Sequence, residues 1–260
     1  MVINSNISAI IQARLGSTRL PNKVLKTIQG SPMLWHIVNR LKNVKKINNI
    51  IVATSDLPEN DLIEEFCSKY NILCFRGSEK DVLKRFYDTA LFYNAEHIIR
   101  ITGDCPLVDY QIINNLIKFY LAGDFDFSGI ACGAGVSNEK NIKRYPDGLD
   151  AEIFSYKVLR EAYKESNSDL EREHVTPFIW QNKDRYTIGT LYSKIKDYSN
   201  LRLTVDDKVD FDFINWIYDQ LYPKNNNFTF KEIEQLLNKY PNISKNKHLI
   251  GKEGYNEFWN

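Results

Sequence analysis

The sequence has no excess of either charge: 34 Lys and Arg stand against 33 Asp and Glu, a formal net charge of +1. That balance removes any general electrostatic reason to bind nucleic acid or an anionic membrane, so an anion site has to be local. Cysteine is scarce. Cys67, Cys74, Cys105 and Cys132 form no CxxC pair and no zinc spacing with the four His, so free thiols in a reducing compartment are expected. No apolar stretch approaches the length of a membrane span. The N-terminus lacks a charged segment followed by a long apolar run, so no signal peptide is expected. Two phosphate-binding fingerprints are missing as well. The absence of G-x-x-x-x-G-K-[ST] excludes a Walker-type P-loop, and the absence of G-x-G-x-x-G argues against a dinucleotide site. These absences describe a cytoplasmic protein with no nucleic-acid and no membrane partner.

What is present is a rhythm. Hydrophobic residues make up 43% of 260 residues, enough for one large α/β domain or a domain with a small appendage. Strand patterns at 7–13, 50–54, 72–75, 97–102 and 125–130 alternate with helical ones. The helices begin at Met33, after Ser31 as N-cap and Pro32 at the first helical position, and at 59–70. Another follows the capping-box-like pair Ser78 and Asp81, and another covers 110–121 with Asp109 as its cap. This βαβα order predicts an α/β fold: a Rossmann-like, mostly parallel sheet with helices on both faces. Ligands of such sheets bind beyond the carboxyl ends of the strands, here Ala13, Thr54, Phe75 and Thr102. After Ile130 a Gly-, Ser- and Asn-rich loop covers 131–143. Strands are then expected at 149–154, 186–193 and 201–205. Helices are expected at 155–165, 171–181 (kinked or cut short by Pro177), 209–221 and 230–240.

The first strand runs into "IIQARLGSTRLPNKVL", residues 10–25. Arg14, Arg19 and Lys23 gather there with Gly16, Ser17 and Thr18, and no acidic residue lies between them. A polyphosphate needs several cations together with backbone N–H groups that it can approach closely, which Gly16 permits. Pro21 stiffens the return of the loop. One Arg after a strand is ordinarily a solvated surface charge; three cations in such a loop favour a phosphate site.

This stretch resembles the signature of the spore-coat polysaccharide biosynthesis protein F family, which belongs with the cytidylyltransferases that make CMP-activated sugar acids. The resemblance continues, in order, through "IIVATSDLPEND", "FRGSEKDVLKRFYDTA", "RITGDCPLVD", "YPDGLDAEIFSYKVLREAY", "EREHVTPFI" and "LRLTVDDKVDF", and covers roughly 7–222. It implies a fold of the nucleotide-diphospho-sugar transferase type. It also implies CTP as a substrate, a divalent cation such as Mg2+, a small acidic sugar or phosphorylated acceptor, and a homodimer. Residues 1–240 would form one nucleotidyltransferase domain: a nucleotide half (1–130), an acceptor and dimerisation part (131–200) and a closing part (201–240). Residues 241–260 would be a tail, in which Tyr255, Phe258 and Trp259 are available to dock.

Nucleotidyl transfer requires a divalent cation beside the phosphates. Asp104 follows the strand ending at Thr102, with Gly103 to turn the chain and Pro106 to delay the next helix. Asp109 is the better helix cap and Asp104 the better metal ligand. The second ligand is Asp206 or Asp207; the resemblance favours Asp206, and Asp207 is open as a helix cap. It also implies that the loops after Thr54 and around Arg76 and Gly77 meet the base and ribose, although Ser55 and Ser78 read equally well as caps. The acceptor should meet Tyr145, Asp147, Asp150, Arg172 and His174, with Glu171 and Glu173 balanced between that role and a charged first helical turn. Lys140, Lys143 and Arg144 keep a phosphorylated or phosphonate acceptor open. Arg14, Lys23 and Asp104 are the expected catalytic group. A glycosyltransferase would instead carry its metal on a DxD motif, and Asp124-Phe125-Asp126 has that form but reads better as a strand start. A non-catalytic nucleotide-binding protein would lack a metal carboxylate. His36 and His97 lie on apolar elements and read as structural.

Overall fold

The computed structural model describes residues 6–132, 142–244 and 246–249. Seven strands form one sheet in the order β5-β4-β1-β6-β8-β7-β9. They are β1 (Ile7–Gln12), β4 (Asn49–Ser55), β5 (Leu73–Gly77), β6 (His97–Thr102), β7 (Phe127–Ile130), β8 (Glu152–Ser155) and β9 (Ile188–Leu191). A two-residue hairpin, β2 (Thr27–Ile28) with β3 (Ser31–Pro32), stands apart. Neighbours in the large sheet are parallel except β8, which runs antiparallel to both β6 and β7. The fold is therefore α/β with a mostly parallel sheet, as the βαβα order implies.

The central strand β1 shows why. It is apolar almost throughout, because a parallel strand is covered on both faces. Ala9 and Ile11 enter the core beneath α1 (Met33–Leu41), α2 (Asp61–Lys69) and α4 (Tyr110–Ala122). That core also takes in α8 (Lys208–Leu221) and α9 (Phe230–Lys239). Ile10 enters the opposite core, beneath α3 (Val82–Phe92), α5 (Tyr156–Glu165) and α7 (Pro177–Gln181). After β1 the chain builds β4 and β5 on one side and then crosses to β6 on the other. The carboxyl ends of β1 and β6 thus flank the point where strand order reverses, the usual ligand crevice of such sheets.

Several expectations need correction. Residues 201–205 form no strand; Arg202 makes one isolated bridge to Asp147. Leu203 and Val205 are buried, and so are Arg202 before them and Thr204 between them; the N–H groups of Leu203 and Val205 bond Asp147 O (2.7 Å) and Asp104 O (2.8 Å), in two different loops. The expected helix at 171–181 is two helices. A capping box between Ser168 and Glu171 starts α6 (Asp169–His174), Val175 ends it at φ 72°, and Pro177 opens α7. Ser31 caps nothing: it pairs in the small hairpin, and Pro32 is the N-cap of α1. Asp109, Asp81 and Ser155 cap α4, α3 and α5 with side-chain bonds to backbone N–H groups. Most of the expected loop at 131–143, Lys140 and the tail aromatics Tyr255, Phe258 and Trp259 lie outside the described residues.

Candidate active site

Beyond β1 the chain stays attached to its neighbours before it is released. Ala13 N bonds Ala53 O at 3.2 Å, and Leu15 N bonds the buried Asn60 Oδ1 at 2.9 Å. Arg14, Gly16, Thr18 and Arg19 are exposed, and Ser17 Oγ accepts from Leu20 N at 3.4 Å. Asn22, at φ 56°, then reverses the chain into a 3₁₀ turn, Lys23–Leu25, pinned by buried Val24. That turn sends Lys23 back towards the sheet. Its Nζ donates to Asp104 Oδ2 (3.1 Å), Val205 O (2.9 Å) and Asp206 Oδ1 (3.0 Å).

Asp104 stands at the end of β6 because Gly103 lets β6 press against β1. A Cβ on Gly103 would lie 2.8 Å from Gln12 O. Burial works against the charge of Asp104, but the Lys23 ammonium and the Thr102 hydroxyl prevail and hold its carboxyl at about 2. Burial likewise opposes the charge on Lys23, and Asp104 and Asp206 together raise its pKa above the ordinary value.

Asp206 is held from behind by Arg202, a residue that the motifs did not single out. The Arg202 side chain is only 2% exposed. It reaches Asp147 (2.8 Å), Asp206 Oδ2 (2.6 Å) and both oxygens of buried Asp210 (3.1 and 3.2 Å). Asp210 in turn accepts from the N–H of Asp206 at 3.0 Å. The signal in the sequence was an Arg inside the apolar run "LRLTV". Asp207 caps α8, accepting from Val209 N and Asp210 N, while Asp206 faces Lys23 and Arg19, the latter at 3.2 Å. Gly148, at φ 95°, completes this wall. A Cβ there would fall 2.4 Å from Leu203 C and Thr204 N. Asp147 is thereby brought to Arg202. Asp150 lies beside buried Cys132; burial pushes its carboxyl up to about 6, despite a 2.7 Å bond from Gly148 N. Burial also raises the thiols of Cys105 and Cys132.

Arg14 pairs with Glu79 at 2.7 Å. Arg76 pairs with Asp61 and Glu64 and donates to Ser55 O and Leu57 O. Thr54 is fully buried, and Gly77 packs on Arg85, where a Cβ would lie 3.3 Å from Arg85 Cγ. Arg85 is a second residue that the motifs missed. It lies buried under the β5–α3 loop, donates to Ser78 O, and is lowered to about 10 by burial. Of the residues expected to meet the acceptor, Tyr145 is half-buried and its N–H bonds Ala131 O. Glu171 closes the capping box of α6. Arg172 reaches back to Asp81 (3.3 Å), at the cap of α3, and lies over the Tyr163 ring. His174 is half-buried at the end of the same helix. Thr176 bonds Glu152, which pairs with Arg100 at 2.8 Å, so this segment is fastened to the sheet. Asp124 and Asp126 sit at the amino end of β7, away from the carboxyl ends of β1 and β6, and Asp126 accepts from Thr187 N.

Among the described residues no three His, Cys, Asp or Glu side chains cluster as a complete metal site. The donor set fits magnesium nonetheless, because magnesium takes one or two carboxylates and completes its shell with phosphate oxygens and water. Two carboxylates and one carbonyl already converge here on a single cationic nitrogen. Among the described residues no helix is long and apolar enough to cross a membrane.

Comparison with known proteins identifies the family. The cytidylyltransferase family model matches residues 8–250. The spore coat polysaccharide biosynthesis protein SpsF of Bacillus subtilis is 30% identical over 92% of this chain and 97% of its own. A 3-deoxy-manno-octulosonate cytidylyltransferase of Pelobacter propionicus is 30% identical over 44% of each chain. The solved structure of a cytidylyltransferase from Leptospira borgpetersenii superposes with a TM-score of 0.83 at 29% identity, covering 93% of this chain and 98% of that one. Matched along nearly its whole length in sequence and in fold, the chain belongs to the cytidylyltransferase family and is a nucleotidyltransferase.

Proposed function

We propose that the enzyme transfers CMP from CTP to a sugar acid of the nonulosonic or octulosonic kind, releasing pyrophosphate, in the making of a surface glycan. The observation that carries this reading is the meeting of Lys23, Asp104 and Asp206 at the carboxyl ends of β1 and β6. Arg14, Gly16, Ser17, Arg19 and Lys23 receive the triphosphate. Thr54, Arg76 and Gly77 border the base and ribose. Asp104 and Asp206 would hold magnesium, which supplies charge neutralisation to the phosphates. Tyr145, Asp147, Asp150, Glu171, Arg172 and His174 belong to the acceptor side. An acceptor hydroxyl oxygen attacks the α-phosphorus in line and gives up its proton to solvent, and the bond from that phosphorus to the pyrophosphate oxygen breaks, its electron pair leaving with the pyrophosphate. The loop cations neutralise the departing charge. The protein's part is positioning and electrostatic stabilisation.

The relatives named above support the sugar-acid reading. A homodimer and a cytoplasmic place of action belong to the same proposal, as does a division into a nucleotide half (1–130) and an acceptor part (131–200). The test is incubation with each of the four NTPs, magnesium, and a panel of sugar acids and phosphorylated polyols, following pyrophosphate. CTP-dependent release with a sugar acid is expected. Release only with a phosphorylated acceptor would replace the acceptor assignment, and failure to bind any NTP would remove the proposal.

A further inference from the structure

Three oxygens converge on Lys23 Nζ: Asp104 Oδ2 at 3.1 Å, Asp206 Oδ1 at 3.0 Å and Val205 O at 2.9 Å. They come from the end of β6 and the start of α8, about a hundred residues apart in sequence, and a single cation joins them. The Lys23 side chain is 14% exposed, against 29% for Asp104 and 18% for Asp206. The remaining oxygen of Asp206 is committed to Arg202, which is fixed among three carboxylates and cannot follow it.

We propose that the Lys23 ammonium is the resident counter-cation of the divalent-metal position, and that lysine and metal exclude one another there until nucleotide phosphates draw Lys23 away. Magnesium bonds its ligands at about 2.0–2.1 Å, so an ion shared by these carboxylates needs the space that Nζ fills. Asp206 also pairs with Arg19 (3.2 Å) and Arg202 (2.6 Å), but Lys23 is the cation that touches both carboxylates, and it offsets their mutual repulsion while metal is absent. The backbone of Lys23 is fixed by its 3₁₀ turn, but its flexible stem lets the ammonium swing out. A triphosphate offers it several negative oxygens at once. Nucleotide and metal then favour one another: whatever removes the ammonium from the carboxylates raises their affinity for the metal. The trigger in this inference rests on the proposed nucleotidyl transfer; the competition between lysine and metal does not.

The test is Mn2+ binding without nucleotide, read from the loss of the free-ion electron paramagnetic resonance signal. Lys23→Met is expected to bind Mn2+ about tenfold more tightly than the wild type, since a competing charge has gone and both carboxylates remain. Adding Asp104→Asn to Lys23→Met should return the affinity to the weak wild-type level or below. Lys23→Gln keeps a donor for Val205 O and the carboxylates. It is the second variant should the Met form fail to fold, and it should shift affinity in the same direction. Equal or weaker Mn2+ binding by the folded lysine variant overturns the proposal. A wild-type protein that binds no NTP would overturn the functional reading and leave the lysine–metal competition standing.

Discussion

Each cation of the first loop has an acidic partner that is distant in sequence. Arg14 finds Glu79, Arg19 finds Asp206, and Lys23 finds Asp104 and Asp206. No acid lies between these cations in the sequence, so the cluster was legible and its partners were not. A local reading has no access to contacts across 65 to 187 residues. Asp104→Asn should leave most CTP binding intact and lower turnover by about 10²-fold or more, as expected when charge stabilisation of a transferred phosphoryl group is removed. Calorimetry and pyrophosphate release measure the two parts separately. Arg202→Met removes one partner from a buried ion network; a loss of about 3–5 kcal/mol in urea unfolding is expected. The carboxylates set opposite pH dependences. Asp104, held at about 2, contributes stability that is present above its ordinary 3.8 and lost as pH falls through about 2. Asp150, raised to about 6, contributes stability that is full below 3.8 and lost as pH rises through about 6. Asp150→Asn should therefore flatten a decline in melting temperature between about pH 4 and 6 in metal-free buffer.

At the scale of elements, periodicity located the helices and the parallel strands, because burial of one face imposes it. It failed at 201–205, where four consecutive residues, Arg202 to Val205, are buried and the backbone partners are loops. That failure matters for function. Leu203 and Val205 tie the loops carrying Asp147 and Asp104 to the segment that carries Asp206, so an irregular strip assembles the acidic wall. Gly148 is where that strip leaves no room. Gly148→Ala should cost about 1–3 kcal/mol from the left-handed backbone alone, and more from the collision with Leu203 and Thr204. Chemical denaturation measures the loss, and CMP transfer should fall with it. Helices α3 and α6 meet through Asp81, which caps the first and pairs with Arg172 on the second. Asp81→Ala should cost about 1 kcal/mol for the cap. The sequence offered no sign that Arg172 would lean on the β5–α3 loop, since the pairing depends on how α6 packs against α3.

At the scale of the whole molecule, the parallel strands of one sheet bring their carboxyl ends to one crevice, and the chain places its acids and cations there in pairs. This arrangement is stable without ligand because the charges neutralise one another. Nucleotide and metal must then exchange partners with groups already paired. Saturation with CTP and magnesium should raise the melting temperature, with about 2.7 kcal/mol gained at a hundredfold excess over Kd. Mass spectrometry of the reaction products is the most direct measurement. With CTP, magnesium and a sugar acid, the reading requires a product of acceptor plus CMP, formed one for one with pyrophosphate. A product carrying a transferred sugar, or consumption of CTP with no CMP joined to the acceptor, would contradict it.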